Sequence, residues 1–270
     1  MDDSQFRQII DCLGFSWHGY RKVRKGVKKR LDRHRANRGI LSFETYLTAI
    51  ASNPAIRREV ETLMTVSISR FFRDHALWEA LEGDIIPHLS ATHRHSLSLW
   101  CAGSALGQEV YSFKILWHAM TSRGTPLPTL HITATDSNPD YLRRARAGIF
   151  DGVTLRGLSP MDISRHFQRT EDGRFRAGDH LRGQITWIRH DMTRQPPPGH
   201  PFQIIFLRNS LLTYCNEERK KASLIMITGS LDRGGFLIIG THERVPPAIP
   251  HLTPFRGCDW IFRHRGHQTR

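Results

Sequence analysis

The stretch Trp100-Cys101-Ala102-Gly103-Ser104-Ala105-Leu106-Gly107-Gln108-Glu109 decides the fold. It continues a strand-length apolar run that begins at residue 96, and it leads into a segment, 109–120, with the apolar spacing of a helix. Two glycines among small residues let the backbone approach a ligand closely at the turn. Strand, glycine-bearing turn and helix make one unit of an open α/β sheet, and the pattern repeats along the chain. Short runs rich in apolar and β-branched residues fall at 96–101, 130–135, 185–188, 203–207 and 235–240, with helical stretches at 109–120, 139–147 and 217–231 between several of them. This alternation predicts a doubly wound, mostly parallel sheet with helices on both faces.

Two regions stand outside the alternation. Residues 151–184 are polar, contain Asp172-Gly173, Ala177-Gly178 and Arg182-Gly183, and read as an insertion forming a small β-subdomain. Residues 1–75 read as a small helical domain, which leaves 76–270 for the sheet. Ser42 is an N-cap candidate before Phe43, Tyr46, Leu47 and Ile50, Glu44 adds charge near that helix start, and a second helix covers 56–64. Between Arg21 and Arg38 there are ten Lys/Arg residues and one acid, Asp32. Val23, Val27 and Leu31 recur at steps of four among Lys22, Arg24, Lys25, Lys28, Lys29 and Arg30, which describes an amphipathic helix with a cationic outer face. That face is either a solvated surface or a dock for an acidic partner. The mutual repulsion of so many cations favours the dock. Pro196-Pro197-Pro198 and residues 246–254 read as loops.

The chain has 270 residues, 39 Lys+Arg against 25 Asp+Glu, and a formal net charge of +14, which implies an anionic partner without naming one. With 39% hydrophobic and 24% charged residues it reads as soluble and globular, not disordered. No apolar run approaches the roughly 18 residues of a membrane span. The start, Met1-Asp2-Asp3-Ser4, is acidic and lacks an apolar signal region, so a cytoplasmic protein without membrane insertion is expected. Cys12, Cys101, Cys215 and Cys258 stand far apart, which disfavours a disulfide framework, and neither they nor the scattered histidines suggest a metal site.

In a doubly wound sheet, ligands bind beyond the carboxyl ends of the strands. Gly103 and Gly107 lie at the first such end, but they do not form G-x-G-x-x-G, and no G-x-x-x-x-G-K-[ST] occurs, so a bound phosphate is disfavoured. Asp136 ends the second strand, where an acid grips ribose hydroxyls in nucleoside-binding folds; an ordinary helix N-cap is the alternative. A ribose grip without a phosphate loop points to S-adenosylmethionine.

Over nearly its whole length the chain resembles the chemotaxis-receptor glutamate methyltransferases, the CheR-type enzymes. The resemblance is carried, in order, by Ser67-Ile68-Ser69-Arg70-Phe71-Phe72-Arg73-Asp74; by Trp100 to Ser112 with its Gly107-Gln108-Glu109-Val110-Tyr111-Ser112 ending; by Ala134-Thr135-Asp136 followed by Ala145-Arg146-Ala147-Gly148-Ile149-Phe150; and by Phe206-Leu207-Arg208-Asn209 leading to Tyr214. Gly234 to Glu243 looks like the last core strand of the family. The resemblance implies a class I, Rossmann-like methyltransferase core that uses S-adenosylmethionine, preceded by a helical domain and carrying an inserted β-subdomain. It implies that Glu109 holds the amino group of the methionine moiety, Asp136 the ribose, and Asp191 and Met192 the adenine. Ser67, Ser69, Arg73, Gly103, Arg208 and Asn209 complete the cofactor set.

It further implies that Arg73 and Tyr214 serve catalysis. A glutamate acceptor is already ionised near neutral pH, so methylating it needs no general base, and what helps is orientation. Arg73 could fork onto the acceptor carboxylate and Tyr214 could border the methyl site. Each residue also has a plainer reading: a first-turn helix acid for Glu109, a loop acid for Asp191, a buried Arg–acid pair for Arg208, an interface ion pair for Arg73 and core packing for Tyr214. Ser67 and Ser69 stand where the family usually has Asn and Thr. Four residues separate Asn209 from Tyr214 where the family usually has three, so the turn must bulge or the tyrosine is displaced.

The expected function is S-adenosylmethionine-dependent O-methylation of glutamate in an acidic helical region of a signalling receptor, by a protein that need be no more than a monomer. A nucleic-acid methyltransferase is suggested by the +14 charge. The chain, however, has neither a Pro-Cys dipeptide nor an Asn/Asp-Pro-Pro-aromatic segment, so nucleic acid is not the expected partner. The third alternative is a non-enzymatic module that binds the cofactor or an acidic partner.

Overall fold

A computed structural model describes residues 1–67, 69–199, 201–247, 249 and 251–265. These divide into two units: Met1–Val66 with Asn209–Ala222, and Ser67–Arg208 with the chain from Ser223 onward.

The first unit is helical: α1 (Asp3–Leu13), α2 (Trp17–Tyr20), α3 (Arg24–Asn37), α4 (Phe43–Ser52) and α5 (Pro54–Met64). Helix α1, which the sequence reading did not place, starts with a capping box in which Asp2 and Gln5 each accept the other's backbone N–H, and it ends at Gly14 in the left-handed region. Ser42 caps α4 as expected, accepting from Thr45 N–H, and Asn53 caps α5 ahead of Pro54. Phe6, Ile9, Leu31, Tyr46, Ile50 and Val60 are fully buried together. The returning segment adds the single turn α12 (Leu211–Tyr214) and the start of α13 (Glu217–Thr228). A Cβ on Gly19 would lie 2.1 Å from the Thr213 carbonyl oxygen, so α2 and α12 meet backbone to backbone and only glycine fits.

Helix α3 carries the basic stretch, and much of its charge is met internally. Arg24 and Lys28 pair with Asp3, Arg38 with Glu59, and Arg30 donates to the Leu63 and Thr65 carbonyls. Lys25, Lys29 and Arg33, at successive steps of four, are exposed and have no acidic partner among the described residues. These three form the free cationic stripe.

The second unit holds a seven-stranded sheet of order β6-β2-β1-β7-β8-β10-β9. Strands β1 (Ser96–Ala102), β2 (Thr129–Asp136), β6 (Ile185–Arg189), β7 (Phe202–Leu207) and β8 (Leu231–Ile239) are parallel. Strands β9 (Leu252–Phe255) and β10 (Cys258–His264) close one edge in antiparallel fashion. All six residues of the central β7 are buried, which is why that strand reads as continuously apolar instead of alternating. Helices α6 (His75–Ala80), α7 (Ile86–Thr92), α8 (Gln108–Ser122), α9 (Pro139–Ala147) and the rest of α13 complete the layers, with a π-helical turn at Leu81–Ile85 joining α6 to α7. One apolar cluster gathers Leu77, Leu81, Phe113, Phe206, Phe236 and Ile238. A second, built on Phe71, Tyr111, Ile115, Phe150 and Phe167, underlies a small antiparallel sheet of β3 (Ile149–Phe150), β4 (Phe167–Arg169) and β5 (Phe175–Ala177), with α10 (Pro160–His166) and α11 (Asp179–Arg182).

Three boundaries differ from the sequence reading. The first unit ends at Val66, not near 75, because Phe71 is buried among Tyr111, Phe150 and Phe167 and carries residues 67–75 into the sheet unit. The small sheet begins at Ile149, before the polar insertion, since its first strand is apolar. Residues 246–254 are not all loop: Pro254 lies within β9, an edge strand, where a residue lacking an N–H is tolerated. No helix among the described residues is long and apolar enough to cross a membrane.

Candidate active site

Beyond β1 the chain turns through Gly103 and Gly107, at φ of 83° and 86°, values that glycine adopts without strain. The loop is fastened to the next strand. Gly103 and Ser104 N–H both donate to the Thr135 carbonyl (2.9 and 2.8 Å), and Ala105 N–H donates to the Asp136 carboxylate (2.9 Å). A side chain at position 107 would press on Ala145 and Trp187 at 3.1 Å, so the turn lies flat against its neighbours.

Asp136 is 8% exposed. Burial pushes its carboxyl pKa up, and N–H bonds from Asn138, Ala105 and Ser137 work against that rise. The carboxylate therefore organises the loop. A carboxylate offers about four acceptor sites, so capacity remains for a hydroxyl. His190 N–H donates to the Asp136 carbonyl (3.0 Å), which sets Asp191 and Met192 beside the end of β2. Asp191 itself closes a local turn, accepting from Thr193 N–H and its hydroxyl and pairing with Arg194 at 3.2 Å, as its plainer reading expects.

Glu109, in the first turn of α8, meets Arg208, the residue that follows β7. The Arg208 side chain is only 3% exposed, and its two terminal nitrogens reach Glu109 and Asp74, each at 2.5 Å. Burial pushes the Glu109 pKa up and Arg208 opposes the shift. For Arg208 burial alone would lower the pKa, but the two carboxylates outweigh it and the group is held above its ordinary value. The plainer reading of Arg208, a buried Arg–acid pair, is what its guanidinium does here. Arg73 is 30% exposed in its side chain, with Nε 4.0 Å from Asp74, and its carbonyl accepts from Trp78 Nε1 (2.9 Å) and Arg208 Nη2 (3.3 Å). Phe72 N–H donates to Ser112 Oγ (2.9 Å), which ties residues 67–74 to α8.

Hydrogen bonds thus join several candidate residues of the sequence reading: Arg208 to Arg73 and to Glu109, and the glycine loop to Asp136 and on to residues 190–192. Ser67 and Ser69 belong to the same segment as Arg73, but Asn209 and Tyr214 belong to the first unit. The Tyr214 ring packs tilted against Tyr20 with ring centres 4.9 Å apart, and its carbonyl accepts from Ser16 N–H. Its observed surroundings are those of core packing. The sequence reading missed Asp74, although it stands next to Arg73. At the start of a helix it would ordinarily cap, yet its side chain makes no cap bond and reaches Arg208 instead. It also missed Ser112, Ser104 and Gln108.

The donor set can be tested against S-adenosylmethionine. Among the described residues Ser67 Oγ, Ser104 Oγ, Gln108 Oε1 and Arg208 Nε are buried without a hydrogen-bond partner, polar capacity of the kind a polar ligand satisfies. Glu109 and Asp136 are carboxylates at adjoining strand ends, suited to an ammonium and a diol and unsuited to phosphate. The residues fit the group.

A mostly parallel α/β sheet with a buried acid ending its second strand and no phosphate loop is the core of a class I, Rossmann-like, S-adenosylmethionine-dependent methyltransferase. Residues 67–262 match the family model described as the CheR methyltransferase, SAM binding domain. The chain is 32% identical over 233 residues to a probable chemotaxis protein methyltransferase of Rhizobium etli, covering 84% of this chain and 86% of that protein. It is 32% identical over 193 residues to chemotaxis protein methyltransferase 1 of Vibrio cholerae (71% and 70%), and 29% identical over 241 residues to the chemotaxis protein methyltransferase of Listeria monocytogenes (88% of each). The chain belongs to the CheR methyltransferase family.

Proposed function

We propose that the protein transfers a methyl group from S-adenosylmethionine to the side-chain carboxylate of glutamate in an acidic helical region of a chemoreceptor, acting as a cytoplasmic monomer. The observation that carries the reading is the buried Asp74–Arg208–Glu109 cluster beside Arg73, together with the Asp136-fastened glycine loop, at the carboxyl edge of a family-matched core. S-adenosylmethionine, when bound, supplies a methyl group made electrophilic by its sulfonium. Asp136 accepts from the ribose hydroxyls, and Glu109, its position fixed by Arg208, receives the amino group. Asp191 and Met192 border the adenine, while Ser67, Ser69, Gly103 and Asn209 complete the pocket. Arg73 is the catalytic arginine and orients the acceptor carboxylate. Tyr214 is assigned the border of the methyl site on resemblance alone.

The free stripe Lys25, Lys29 and Arg33 draws in the acidic acceptor helix, an attraction screened beyond about 8–10 Å at ordinary salt. Labelled methyl transfer into acidic receptor fragments, compared with DNA and RNA, tests the reading. Label is expected in base-labile esters on protein; label in nucleic acid alone would refute it. Replacing the three stripe residues by Glu should raise the acceptor KM and leave S-adenosylhomocysteine affinity unchanged.

A further inference from the structure

Strand β8 runs parallel to β1, β2 and β7, so its first residues lie at the sheet edge opposite the one from which Asp136 and Arg208 emerge. There the start of β8, the end of β10 and strand β9 enclose a groove of about 580 Å³. Its charged lining is entirely cationic: Arg233, Arg256, Arg263 and Arg265, with His264. Only Arg256 has an acidic partner among the described residues, Asp84 at 2.7 Å. Arg263 is held in place by a bond from Nη2 to His88 Nε2 (3.0 Å), and Arg233 and Arg265 are exposed. The half-buried Phe255 ring supplies an apolar wall, with the Arg256 guanidinium 5.5 Å from its centre.

We propose that this groove binds a nucleotide carrying at least two negative charges, at a site separate from the methyl-transfer centre. Guanidinium forks match phosphate oxygens in geometry and charge, and three arginine side chains with no acidic partner among the described residues suit a diphosphate better than a singly charged ion, although the Asp232 carboxylate, paired with His93 and Gln203, adjoins Arg233. The volume falls within the range of small-molecule sites and is far larger than one phosphate needs. Phe255 and Arg256 together offer a face on which a base can stack. A ligand here would act on the enzyme at the edge of the sheet, without touching the acceptor or the cofactor.

The test is calorimetry on the full chain saturated with S-adenosylhomocysteine, which fills the nucleoside pocket, using GDP, pyrophosphate and a short DNA duplex as probes at physiological ionic strength. GDP should bind, and more tightly than pyrophosphate. The double substitution Arg233→Ala with Arg265→Ala, at two exposed side chains without an acidic partner among the described residues, should weaken GDP by about tenfold or more and leave S-adenosylhomocysteine binding within about twofold. No heat with GDP up to about 1 mM, or an affinity unchanged by the double substitution, overturns the proposal. So does DNA binding more tightly than GDP and lost in the same variant, which would make the groove a nucleic-acid surface.

Discussion

Arg208→Ala removes the cation that, among the described residues, pairs with both Asp74 and Glu109. The parent guanidinium is 3% exposed and makes a 2.5 Å contact to each carboxylate, whose side chains are 24% and 18% exposed. Taking away one partner of a buried ion pair costs about 3–5 kcal/mol, because the remaining charge is neither solvated nor paired. Both acids here keep some access to water, so a loss of about 3 kcal/mol is expected near pH 7.5. The pH dependence has a definite sign. Burial already raises the Glu109 pKa in the parent, and losing Arg208 raises it further. A carboxyl that binds its proton more tightly folded than unfolded gains stability as pH falls, so the deficit should shrink on acidification toward the ordinary Glu range. Adding Glu109→Gln to Arg208→Ala should restore part of the loss, since it removes one orphaned charge. Urea unfolding followed by tryptophan fluorescence reports the relevant unit, because five of the six tryptophans lie in it. A deficit below about 1 kcal/mol, or one that neither acid nor Glu109→Gln reduces, would show that the cluster is not the anchor described here.

Three further outcomes are expected. Asp136→Ala should weaken S-adenosylhomocysteine binding by about tenfold or more in calorimetry, from lost hydroxyl contacts and a loosened Ala105 loop; unchanged affinity in a folded variant removes it from the site. Arg73→Ala should lower kcat strongly with S-adenosylhomocysteine affinity within a few-fold, and Lys should rescue only in part; equal turnover would end that assignment. His166 is 2% exposed, sits 2.9 Å from His180 Nε2 with His118 alongside, and is pushed down to about 4 by burial and by those two histidines. Being neutral when folded, it contributes no pH dependence above about 6.5, and stability should fall by up to about 3 kcal/mol between pH 6.5 and 4 as the unfolded chain takes up the proton. That slope should flatten in His166→Gln, and an undiminished slope there would place the acid sensitivity elsewhere.

The sheet was legible because a buried parallel strand and an amphipathic helix leave different periodicities, and 203–207 or 139–147 could hardly be read otherwise. The edge was not legible. Strand β9 is four residues long, holds Pro254, and pairs with β10 through an irregular register, so its local signal is that of a loop. Helix α1 was missed although Asp2 and Gln5 spell a capping box; its first turn is polar, and the apolar spacing appears only at Phe6, Ile9 and Ile10. At the site, Asp136 could be found because a strand-end acid has a known use, and Glu109 because Gly107 to Ser112 resembles the family's segment. Asp74 could not, because a residue at the start of a helix reads as a cap until its distant partner is known, and Arg208 is 134 residues away.

The same bonds explain why the site segments hold together. Among the described residues six non-glycine residues adopt positive φ, and four of them, Phe72, Asp74, Ala105 and Asn209, fall in the segments on which the resemblance rested. Such conformations cost about 1–3 kcal/mol each and persist only where surrounding contacts over-determine them. Three of the four have such a contact. Ser112 accepts the Phe72 N–H, Arg208 grips the Asp74 carboxylate, and Asp136 accepts the Ala105 N–H. Ser112 and Asp136 each hold a strained neighbour through its backbone, and Arg208 does so through a charge. The motif residues therefore have a structural part of their own. They keep two loops in shapes the chain would not choose by itself, and a pocket made of such loops is formed before any ligand arrives. Substituting Ser112 or Asp136 should on this reasoning loosen a loop as well as remove a contact, so the effect on affinity should exceed that of the lost hydrogen bond alone.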